Sequence, residues 1–403
     1  AKHDARKNAK KFVLHDGPPY ANGAIHMGHA LNKILKDVTN RFQFSLGKDT
    51  PYVPGWDCHG LPIEWKIEEK YRNAGKDKDQ VPVLQFREEC REFARQWRDV
   101  QSTGFQRLGV VGDWANPYTT MTKEAEAQIA GEIQKFLHNG GLYRGVKPVL
   151  WSVVEKTALA EAEVEYHDHK STTIWVRFPV IKATNAHLNG ADVVIWTTTP
   201  WTIPGNRAIA YGESFEYGVF TVKEVAENSL ANVGDKYVVA IDLVESFKQT
   251  AGIVNLHCVA SFKGTELGGT VCSHPFRGKG YDFDVRLYHG DFVTMETGTG
   301  FVHIAPGHGE DDYFLGLKHK VEIPETVDEA GAFYAHVPLF AGKRTYDEKG
   351  KIGNANEAVI IELANDNKLL AKASITHSYP HSWRSKAPLI FRTTPQWFIS
   401  MDE

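Results

Sequence analysis

The sequence predicts an α/β fold in which a short βαβ unit is followed by helices and then by a β-rich domain. Near the amino terminus, strand-like and helical apolar patterns alternate around a loop rich in proline and glycine. Beyond residue 170, β-branched segments separated by Gly, Asn and Asp replace the helical pattern. A length of 403 residues is enough for about two or three domains.

The βαβ unit comes first. A predicted strand at residues 12–14 ends in the loop HDGPPYANGAI, and TPYVPGWDCHG forms the second predicted strand. Between them, apolar residues recur at helical spacing, namely Leu31, Ile34, Leu35, Val38 and Phe42. Two such strands joined by a helix run parallel, and their ligands bind beyond the carboxyl ends of the strands.

Helical patterns continue from about residue 62 to residue 145, and they are expected to pack around the first domain. The segments TTIWVRFPV, DVVIWTTT, KYVVAI and IVNLHCVASF then predict strands of a separate domain between about 170 and 370. The tail from THSYPHSW onward returns to strands broken by proline.

Composition excludes several classes of protein. The net charge of -4 gives no overall basic signature for nucleic acid. The four cysteines are widely spaced and form no C-x-x-C pair, which argues against a disulfide scaffold or a zinc knuckle. No apolar run is long enough for a membrane span, and the polar start lacks a signal peptide pattern, so a cytoplasmic protein is expected.

The loop ends in H-x-G-H, where His26, Gly28 and His29 meet the start of the helix. Free N–H groups and the helix dipole favour phosphate at such a position. Two imidazoles can donate hydrogen bonds to a phosphate chain as charge builds on it, and Gly28 lets a flat base pack against the backbone. The pattern favours nucleotidyl transfer; a structural helix cap or a metal-binding pair is the alternative for the tetrapeptide alone.

The longer stretch HDGPPYANGAIHMGHALNKILKD, followed by PYVPGWDCHGLPIE, resembles class I aminoacyl-tRNA synthetases, and within them the bacterial or mitochondrial isoleucyl group. Valyl and leucyl members share H-x-G-H but differ where this chain has DGPPYANG. The resemblance extends through RLGVVGDWANPY, KPVLWSVVEKTALAEAEVEYHD, WTTTPWTIPGNRAIA, GTGFVHIAPGHGEDDY and PHSWRSKAPLIFRTTPQWF. It implies a Rossmann-type parallel sheet that carries the nucleotide site and is interrupted by a β-rich inserted editing domain.

The resemblance also implies domain limits and partners. Residues 1–165 would be the amino-terminal half of the Rossmann catalytic domain, 166–372 the editing domain, and 373–403 the return toward the catalytic domain. The implied activity is ATP-dependent activation of isoleucine and its transfer to tRNA(Ile), with hydrolytic clearance of valyl-tRNA(Ile). ATP with Mg²⁺, isoleucine and tRNA(Ile) are the expected partners of a monomer that does not bind membranes.

By resemblance, His26, Gly28 and His29 would bind ATP, with both histidines stabilising the transition state at the α-phosphorus. Asp57 would take the amino acid's ammonium group, and Gly17 and Pro18 would form the pocket floor. A buried ammonium group needs a carboxylate partner, since leaving it unpaired costs several kcal/mol. The alternative for Asp57 is a turn or capping aspartate.

A second, hydrolytic site is expected because a pocket for isoleucine cannot strongly reject valine. The two side chains differ by one methylene group, whose contact is worth only about 1–3 kcal/mol, a magnitude known for the isoleucyl enzyme itself. Thr197, Thr198 and Thr199 end a predicted strand, with Asn206 in the turn beyond, where they could grip the terminal adenosine and the ester carbonyl. Ordinary strand-end residues are the alternative.

The glycine-rich segment GTGFVHIAPGHGEDDY would supply the rest of this editing site. By resemblance, Asp312 would bind the substrate ammonium and His303 would line a side-chain pocket that excludes isoleucine. Its histidines and aspartates also allow a metal site, although the spacing fits no standard zinc pattern.

Two departures from the family matter. The K-M-S-K-S and D-Q-x-R-G-W segments are absent, so a fragment is expected. Ser382 and Ser385 stand where many relatives have cysteines, so no zinc is expected. A valyl enzyme, a stand-alone aminoacyl-tRNA deacylase that needs no ATP, and an unrelated H-x-G-H nucleotidyltransferase are the competing hypotheses.

Overall fold

The computed structural model describes Arg6 and residues 8–401, which form two compact units. Unit 1 comprises 1–143 with 399–403, and unit 2 comprises 144–398. The domain limits expected from the resemblance, 165/166 and 372/373, concern the family's domains and stay a prediction.

Unit 1 is mainly helical, with α1 (Met27–Ser45), α2 (Leu61–Asn73), α3 (Val83–Arg107) and α4 (Lys123–His138). Its two short strands, β1 (Gly55–Trp56) and β2 (Tyr118–Thr119), pair in parallel. Further parallel bridges join Lys11 to Asp49 and Tyr20 to Asp57. The strand predicted at 12–14 is wrong as a strand, because this segment pairs only through the bridge at Lys11; the parallel arrangement is confirmed.

Packing in unit 1 centres on α3. Trp56, Cys58, Ala94, Phe105 and Met121 form its buried cluster together with Ala21. The predicted helix α1 is confirmed, but its apolar side chains lie on the exposed side, namely Leu31, Ile34, Leu35, Val38 and Phe42. The buried residues of α1 are instead Lys33 and Asn40, so the apolar stripe predicted the helix but not which face is buried.

Unit 2 is built on a ten-stranded sheet, as the β-branched segments predicted. Its strands are β5 (Val164–Lys182), β6 (Asp192–Thr197), β7 (Ala208–Tyr211), β8 (Glu216–Val225), β9 (Lys236–Ala240), β10 (Ile253–Lys263), β11 (Val271–Ser273), β12 (Asp284–His289), β13 (Phe301–Ile304) and β14 (Leu369–Ser382). The order is β10-β8-β9-β6-β13-β7-β12-β11-β5-β14, and β5 also pairs with β6. This extra pairing closes the strands from β6 to β5 into a ring.

Three helices and a small sheet complete unit 2. The helices are α5 (Val244–Thr250), α6 (Glu310–His319) and α7 (Ala355–Asn365). The small sheet has the order β15-β3-β4, with β3 (Leu142–Ser152), β4 (Thr157–Ala158) and β15 (Ile390–Ile399). Among the described residues, no helix has both the length and the apolar character needed to cross a membrane.

Parallel pairing of β6 with β13 positions the site of unit 2. Val302 lies opposite Trp196, so the carboxyl-terminal ends of these two strands open at the same edge. A 3₁₀ turn at Pro200–Gly205 follows β6, and α6 follows β13 after a glycine-rich loop. Side chains distant in sequence are thereby brought to one edge of the sheet.

Candidate functional sites

His26 is the N-cap of α1 and links the loop to the helix. The Gly28 N–H donates to His26 Nδ1 at 3.1 Å, and the His26 N–H donates to His29 Nδ1 at 3.4 Å. Both Nδ1 atoms therefore act as acceptors. In the neutral rings the proton is assigned to Nε2, which leaves two N–H donors for a ligand.

The two imidazoles stack, with ring centroids 3.9 Å apart and an angle of 24° between the planes. His26 is exposed, whereas His29 is half-buried with its edge against Phe105. Burial, with the nearby charges of His26 and Lys33, lowers the pKa of His29. His29 is therefore a neutral hydrogen-bond donor at neutral pH.

Gly28 packs closely against the imidazole of His26. A Cβ at this position would lie 2.9 Å from Cε1 and 3.1 Å from Nδ1 of His26. Contacts under about 3 Å force a neighbour to move, so any larger residue would displace the capping imidazole. Gly28 thus leaves room for the capping position of the His26 ring.

A buried ion cluster missed by the sequence analysis anchors the start of the loop. Asp16 accepts hydrogen bonds from Lys33 and Lys36 of α1 and, at 2.7 Å, from the Tyr52 hydroxyl. These hydrogen bonds outweigh burial, which acts in the opposite direction, and the pKa of Asp16 is lowered. The signal was available as a loop aspartate followed by lysines spaced along one helix.

Asp57 lies beside the loop through main-chain pairing. Its N–H donates to Pro19 O at 2.9 Å, and its carbonyl accepts from the Ala21 N–H at 2.8 Å. The Thr120 hydroxyl donates to Asp57 Oδ1 at 3.3 Å. Gly17 and Pro18, the predicted pocket floor, are exposed residues of the same loop.

Gln101, another residue missed by the sequence analysis, fixes the loop from α3. Its fully buried amide donates to Tyr20 O at 3.1 Å and Gly23 O at 2.8 Å, and it accepts from Trp56 Nε1 at 2.9 Å. A buried amide with these partners makes the loop's backbone conformation specific. Nothing in its helical context distinguished it from an ordinary polar residue.

The candidate site of unit 2 is a cleft of about 260 Å³. Its lining includes most of the predicted editing residues, namely Thr197, Thr198, Thr199, His303 and Asp312. Gly298, Gly300, Phe301, Val302, Ala305 and His308 of the predicted glycine-rich segment line it as well. The lining further includes residues to which the sequence analysis gave no role, namely Trp196, Thr202, Phe292, Thr294 and Thr297. Hereafter "the cleft" means this set.

A hydrogen-bonded chain crosses the floor of the cleft. Asn206 Nδ2 lies 2.9 Å from His303 Nδ1 and donates to Ala208 O at 2.9 Å, with Ile304 O at a longer 3.3 Å. These acceptors assign the nitrogen to this side of the amide, while the buried Oδ1 has no partner among the described residues. His303 Nε2 lies 2.8 Å from the Thr202 hydroxyl, which itself donates to Thr199 O at 2.8 Å. Since Asn206 donates to Nδ1, the His303 proton is assigned to Nε2.

His303 is therefore a neutral wall of the cleft. Burial lowers its pKa to about 3, and both ring nitrogens already have partners. It can neither carry charge near neutral pH nor accept a proton from water without breaking a bond to Asn206. Asn206 does not line the cleft; it contacts the ring of His303 from the side away from the cleft lining.

His308 is held in the same way. Its Nδ1 lies 2.9 Å from Phe391 O and its Nε2 lies 2.5 Å from the Thr326 hydroxyl, so both nitrogens are used. Burial lowers its pKa to about 4. Neither histidine of the cleft is thus a candidate general base in this arrangement.

Asp312 is the ionisable residue of the cleft that can still accept a hydrogen bond from a ligand. It lies in the first turn of α6, and its Oδ2 accepts from the Ala305 N–H at 2.8 Å. Within the described residues, Oδ1 has no hydrogen-bond partner. Burial raises the pKa of Asp312 to about 7. A cation entering the cleft would restore the charged form of this carboxylate.

The cleft threonines between residues 197 and 202 divide into two groups. Thr197, Thr199 and Thr202 contact one another, with hydroxyl separations of 3.2 and 3.3 Å. Thr198, in contrast, lines the cleft with a hydroxyl that has no partner among the described residues. The i, i+3 spacing of Thr199 and Thr202 was the signal that could have identified Thr202.

Ser382 and Ser385 lie around a buried carboxylate. The Ser382 hydroxyl donates to Glu155 Oε1 at 2.8 Å and the Ser385 N–H donates to the same oxygen at 3.0 Å. Across Arg6 and residues 8–401, no group of three or more His, Cys, Asp or Glu side chains is arranged to hold a metal ion. The prediction that this chain binds no zinc stays a prediction.

Similar proteins were found over the full length of the chain. It is 55% identical over 405 residues to the isoleucine–tRNA ligase of Gluconobacter oxydans, which covers 99% of this chain and 42% of that protein. It is likewise 55% identical to the isoleucine–tRNA ligase of Pelagibacter ubique, with coverage of 99% and 43%. The chain therefore spans less than half the length of these curated relatives.

A solved structure is also similar in part. The crystal structure of the ternary complex of Agrobacterium radiobacter K84 agnB2 LeuRS-tRNA-LeuAMS matches at 17% identity and a TM-score of 0.35, over 95% of this chain and 46% of that one. The family model described as tRNA synthetases class I (I, L, M and V) matches residues 1–403. Because this match covers every residue, the chain belongs to the class I tRNA synthetases of the I, L, M and V group.

Proposed function

We propose that this chain is the part of an isoleucine–tRNA ligase that holds the isoleucine activation site's H-x-G-H loop and a hydrolytic site for valyl-tRNA(Ile). One observation carries the proposal, namely that threonines 197–199 lie on one cleft with His303 and Asp312, which follow more than 100 residues later in the sequence. The high identity to isoleucine–tRNA ligases supports the choice of amino acid.

Hydrolysis in the cleft follows from its charges. Asp312 Oδ1 would take the ammonium group of the aminoacyl ester, and His303 would limit the room for its side chain. Water then adds to the ester carbonyl, and the ribose oxygen leaves with a proton. Since both cleft histidines are neutral and fully bonded, the threonine hydroxyls and the ribose hydroxyl position the water.

Activation would use unit 1. The Nε2–H donors of His26 and His29 would stabilise the phosphates of ATP as the isoleucine carboxylate attacks the α-phosphorus. Asp57 would hold the ammonium group, with Gly17 and Pro18 beside it and Gly28 under the base. Mg²⁺ bound to ATP would neutralise part of the phosphate charge. A cytoplasmic monomer whose partners are isoleucine, ATP and tRNA(Ile) completes the proposal.

The experiment is hydrolysis of three aminoacyl-tRNAs by this chain: valyl-tRNA(Ile), threonyl-tRNA(Val) and isoleucyl-tRNA(Ile). Clearance of only the valyl ester is the expected result. Preferential clearance of the threonyl ester would assign the chain to the valyl group, and loss of the isoleucyl ester would refute a sieve that excludes isoleucine.

ATP binding separates the proposal from a stand-alone deacylase. Equilibrium dialysis with labelled ATP should show binding by the wild type and weaker binding by His29→Ala, since His29 supplies one of the two donors. Hydrolysis of valyl-tRNA(Ile) with no ATP binding at all would favour the deacylase.

A further inference from the structure

The 3₁₀ turn at Pro200–Gly205, hereafter the proline turn, carries one of the two residues that hold the His303 ring and directly precedes the other. Thr202 lies within the turn and contacts His303 Nε2, and Asn206 follows it and contacts His303 Nδ1. All six residues of the turn are buried. The place of the His303 ring in the wall of the cleft therefore depends on the conformation of this turn.

The proline turn has few hydrogen-bond donors of its own. The prolines at positions 200 and 204 have no N–H group. The Asn206 N–H donates back to Ile203 O at 3.0 Å, and the Trp201 N–H donates outside the turn, to Asn356 Oδ1 at 3.0 Å. Since hydrogen bonds in 3₁₀ turns also have poor geometry, contacts from outside are needed to keep one conformation.

His274 supplies such a contact through its imidazole. It directly follows β11 and is fully buried. The Phe276 N–H donates to His274 Nδ1 at 3.2 Å, so the proton of the neutral ring is assigned to Nε2. This Nε2–H donates to Ile203 O at 3.1 Å, the same oxygen that accepts from the Asn206 N–H. His274 thereby holds the carbonyl group that lies, along the chain, between the two residues in contact with His303.

The surroundings of His274 keep its ring neutral and in place. The ring stacks on Tyr281, with centroids 4.7 Å apart and an angle of 12° between the planes. Three phenylalanine rings pack around it at centroid distances of 5.2–6.1 Å, namely Phe178, Phe276 and Phe283. Burial lowers the pKa of His274 to about 3. An apolar side chain would suit this pocket, so packing alone does not require an imidazole, whereas the hydrogen bond to Ile203 O does.

We propose that His274 is a positioning residue for selectivity, because its hydrogen bond to Ile203 O fixes the proline turn and thereby the His303 ring. This inference rests on the proposed function, in which His303 limits the room for the substrate side chain. His274 does not line the cleft, so its effect on a substrate is transmitted by the turn. A looser turn lets the His303 ring move, which should admit isoleucyl groups more readily and affect the smaller valyl groups less.

The test compares two substitutions of His274 in the full chain. His274→Leu fills the aromatic pocket without a donor, and His274→Gln returns an amide N–H near the position of Nε2. The ratio of kcat/KM for valyl-tRNA(Ile) to kcat/KM for isoleucyl-tRNA(Ile) should fall about fivefold in His274→Leu, the size of one net neutral hydrogen bond. His274→Gln should keep a ratio close to that of the wild type. A residue that only packs would give the opposite order, because an aromatic pocket favours leucine over glutamine.

His381→Leu is the matched control. His381 is also a buried histidine of unit 2, its Nδ1 lies 2.8 Å from Tyr379 O, and it does not line the cleft. Its substitution should leave the ratio unchanged. An unchanged ratio in His274→Leu overturns the proposal, and so does a glutamine variant that loses as much selectivity as the leucine variant. His274→Met replaces the leucine variant if that variant does not fold.

The His303 ring gives a second readout that needs no hydrolysis. In NMR spectra of chains with nitrogen-labelled histidine, the His303 Nε2–H should exchange with water faster in His274→Leu than in the wild type or His274→Gln. If the wild type hydrolyses no ester, the proposed hydrolysis fails, and this exchange decides the positioning by itself. Faster exchange in His274→Leu alone then supports the role of His274, and equal exchange in all three proteins refutes it.

Discussion

The two candidate sites differ in how their histidines are exposed and hydrogen-bonded. In unit 1, His26 is exposed and its ring is held by one backbone N–H and one stacked neighbour. In the cleft of unit 2, His303 is buried and both of its nitrogens are bonded to side chains that are bonded in turn. The first site keeps hydrogen-bond donors available to a ligand. In the second site the histidine nitrogens are already hydrogen-bonded to protein groups.

This difference determines where each site can accommodate a charged group. In unit 1 the outward Nε2–H groups remain in contact with water, so a phosphate chain can replace water there at small cost. In the cleft, burial keeps both histidines neutral and concentrates the electrostatic response on Asp312. Substitutions in the cleft should therefore have large effects, and those in the histidine loop should have small local ones.

The largest effect is expected for Asp312→Ala. Truncating one partner of a buried charge pair costs about 2–5 kcal/mol, which should appear as a loss of kcat/KM for valyl-tRNA(Ile) hydrolysis. Asp311→Ala is the control, because Asp311 is exposed on the same helical turn and does not line the cleft. Unchanged hydrolysis by Asp312→Ala would remove this residue from the site.

Asp312→Asn should stabilise unit 2, with a pH dependence of defined sign. The pKa of Asp312 is about 7 in the fold, against an ordinary value of 3.8, so the native state binds more protons than the unfolded state between these values. Wild-type stability therefore falls as the pH rises through this window. The variant should gain on the order of 2–4 kcal/mol at about pH 8 and nothing at about pH 4.

Urea unfolding of both proteins at the two pH values measures this difference. Asp311→Asn should give a much smaller gain at the higher pH, because burial is the main cause of the raised Asp312 pKa and the Asp311 charge adds to it only secondarily. An equal gain for Asp312→Asn at both pH values would mean that the carboxylate is not destabilised by burial.

Thr202→Val should destabilise unit 2 by about 1–3 kcal/mol, because His303 Nε2–H loses its acceptor in a buried position. Thr198→Val is the matched control, since its hydroxyl makes no protein hydrogen bond in the described residues. Amide hydrogen exchange of β6 and β13 would report the loss of protection. Equal protection in both variants would show that the chain through His303 contributes no stability.

The sequence predicted the elements of the fold better than their burial. The helix α1 and the β-rich unit were predictable because hydrophobic period and turn residues act locally, whereas the strand predicted at 12–14 forms only a single bridge at Lys11. The exposed apolar face of α1 and the buried Lys33 were not, since burial depends on which element packs against the helix. Ring closure also needs the pairing of β11 with β5 and of β13 with β6, which join segments about 90 to 100 residues apart that no local pattern pairs.

Sequence reasoning about the sites shows the same limit. The resemblance placed Thr197, His303 and Asp312 in one site, and the structure brings them to one cleft. It assigned no role to Gln101 or Thr202, because a residue that holds another in place has no chemical signature of its own. The neutral state of His303 likewise depends on Asn206 and on burial, which only the folded chain shows.

The smallest effect is expected for His26→Ala, and it tests the comparison from the side of unit 1. Loss of the N-cap acceptor leaves the Gly28 N–H to water, which costs about 0.5–2 kcal/mol at the first turn of α1. Hydrogen exchange of Gly28 should become faster, and ATP should bind more weakly because one Nε2–H donor is gone. Valyl-tRNA(Ile) hydrolysis should stay unchanged, since the hydrogen bonds that hold His303, His308 and Asp312 are all made within unit 2. Slower hydrolysis in the variant would show that the histidine loop and the cleft are energetically coupled. The exposed site of unit 1 and the buried site of unit 2 could then no longer be treated as independent.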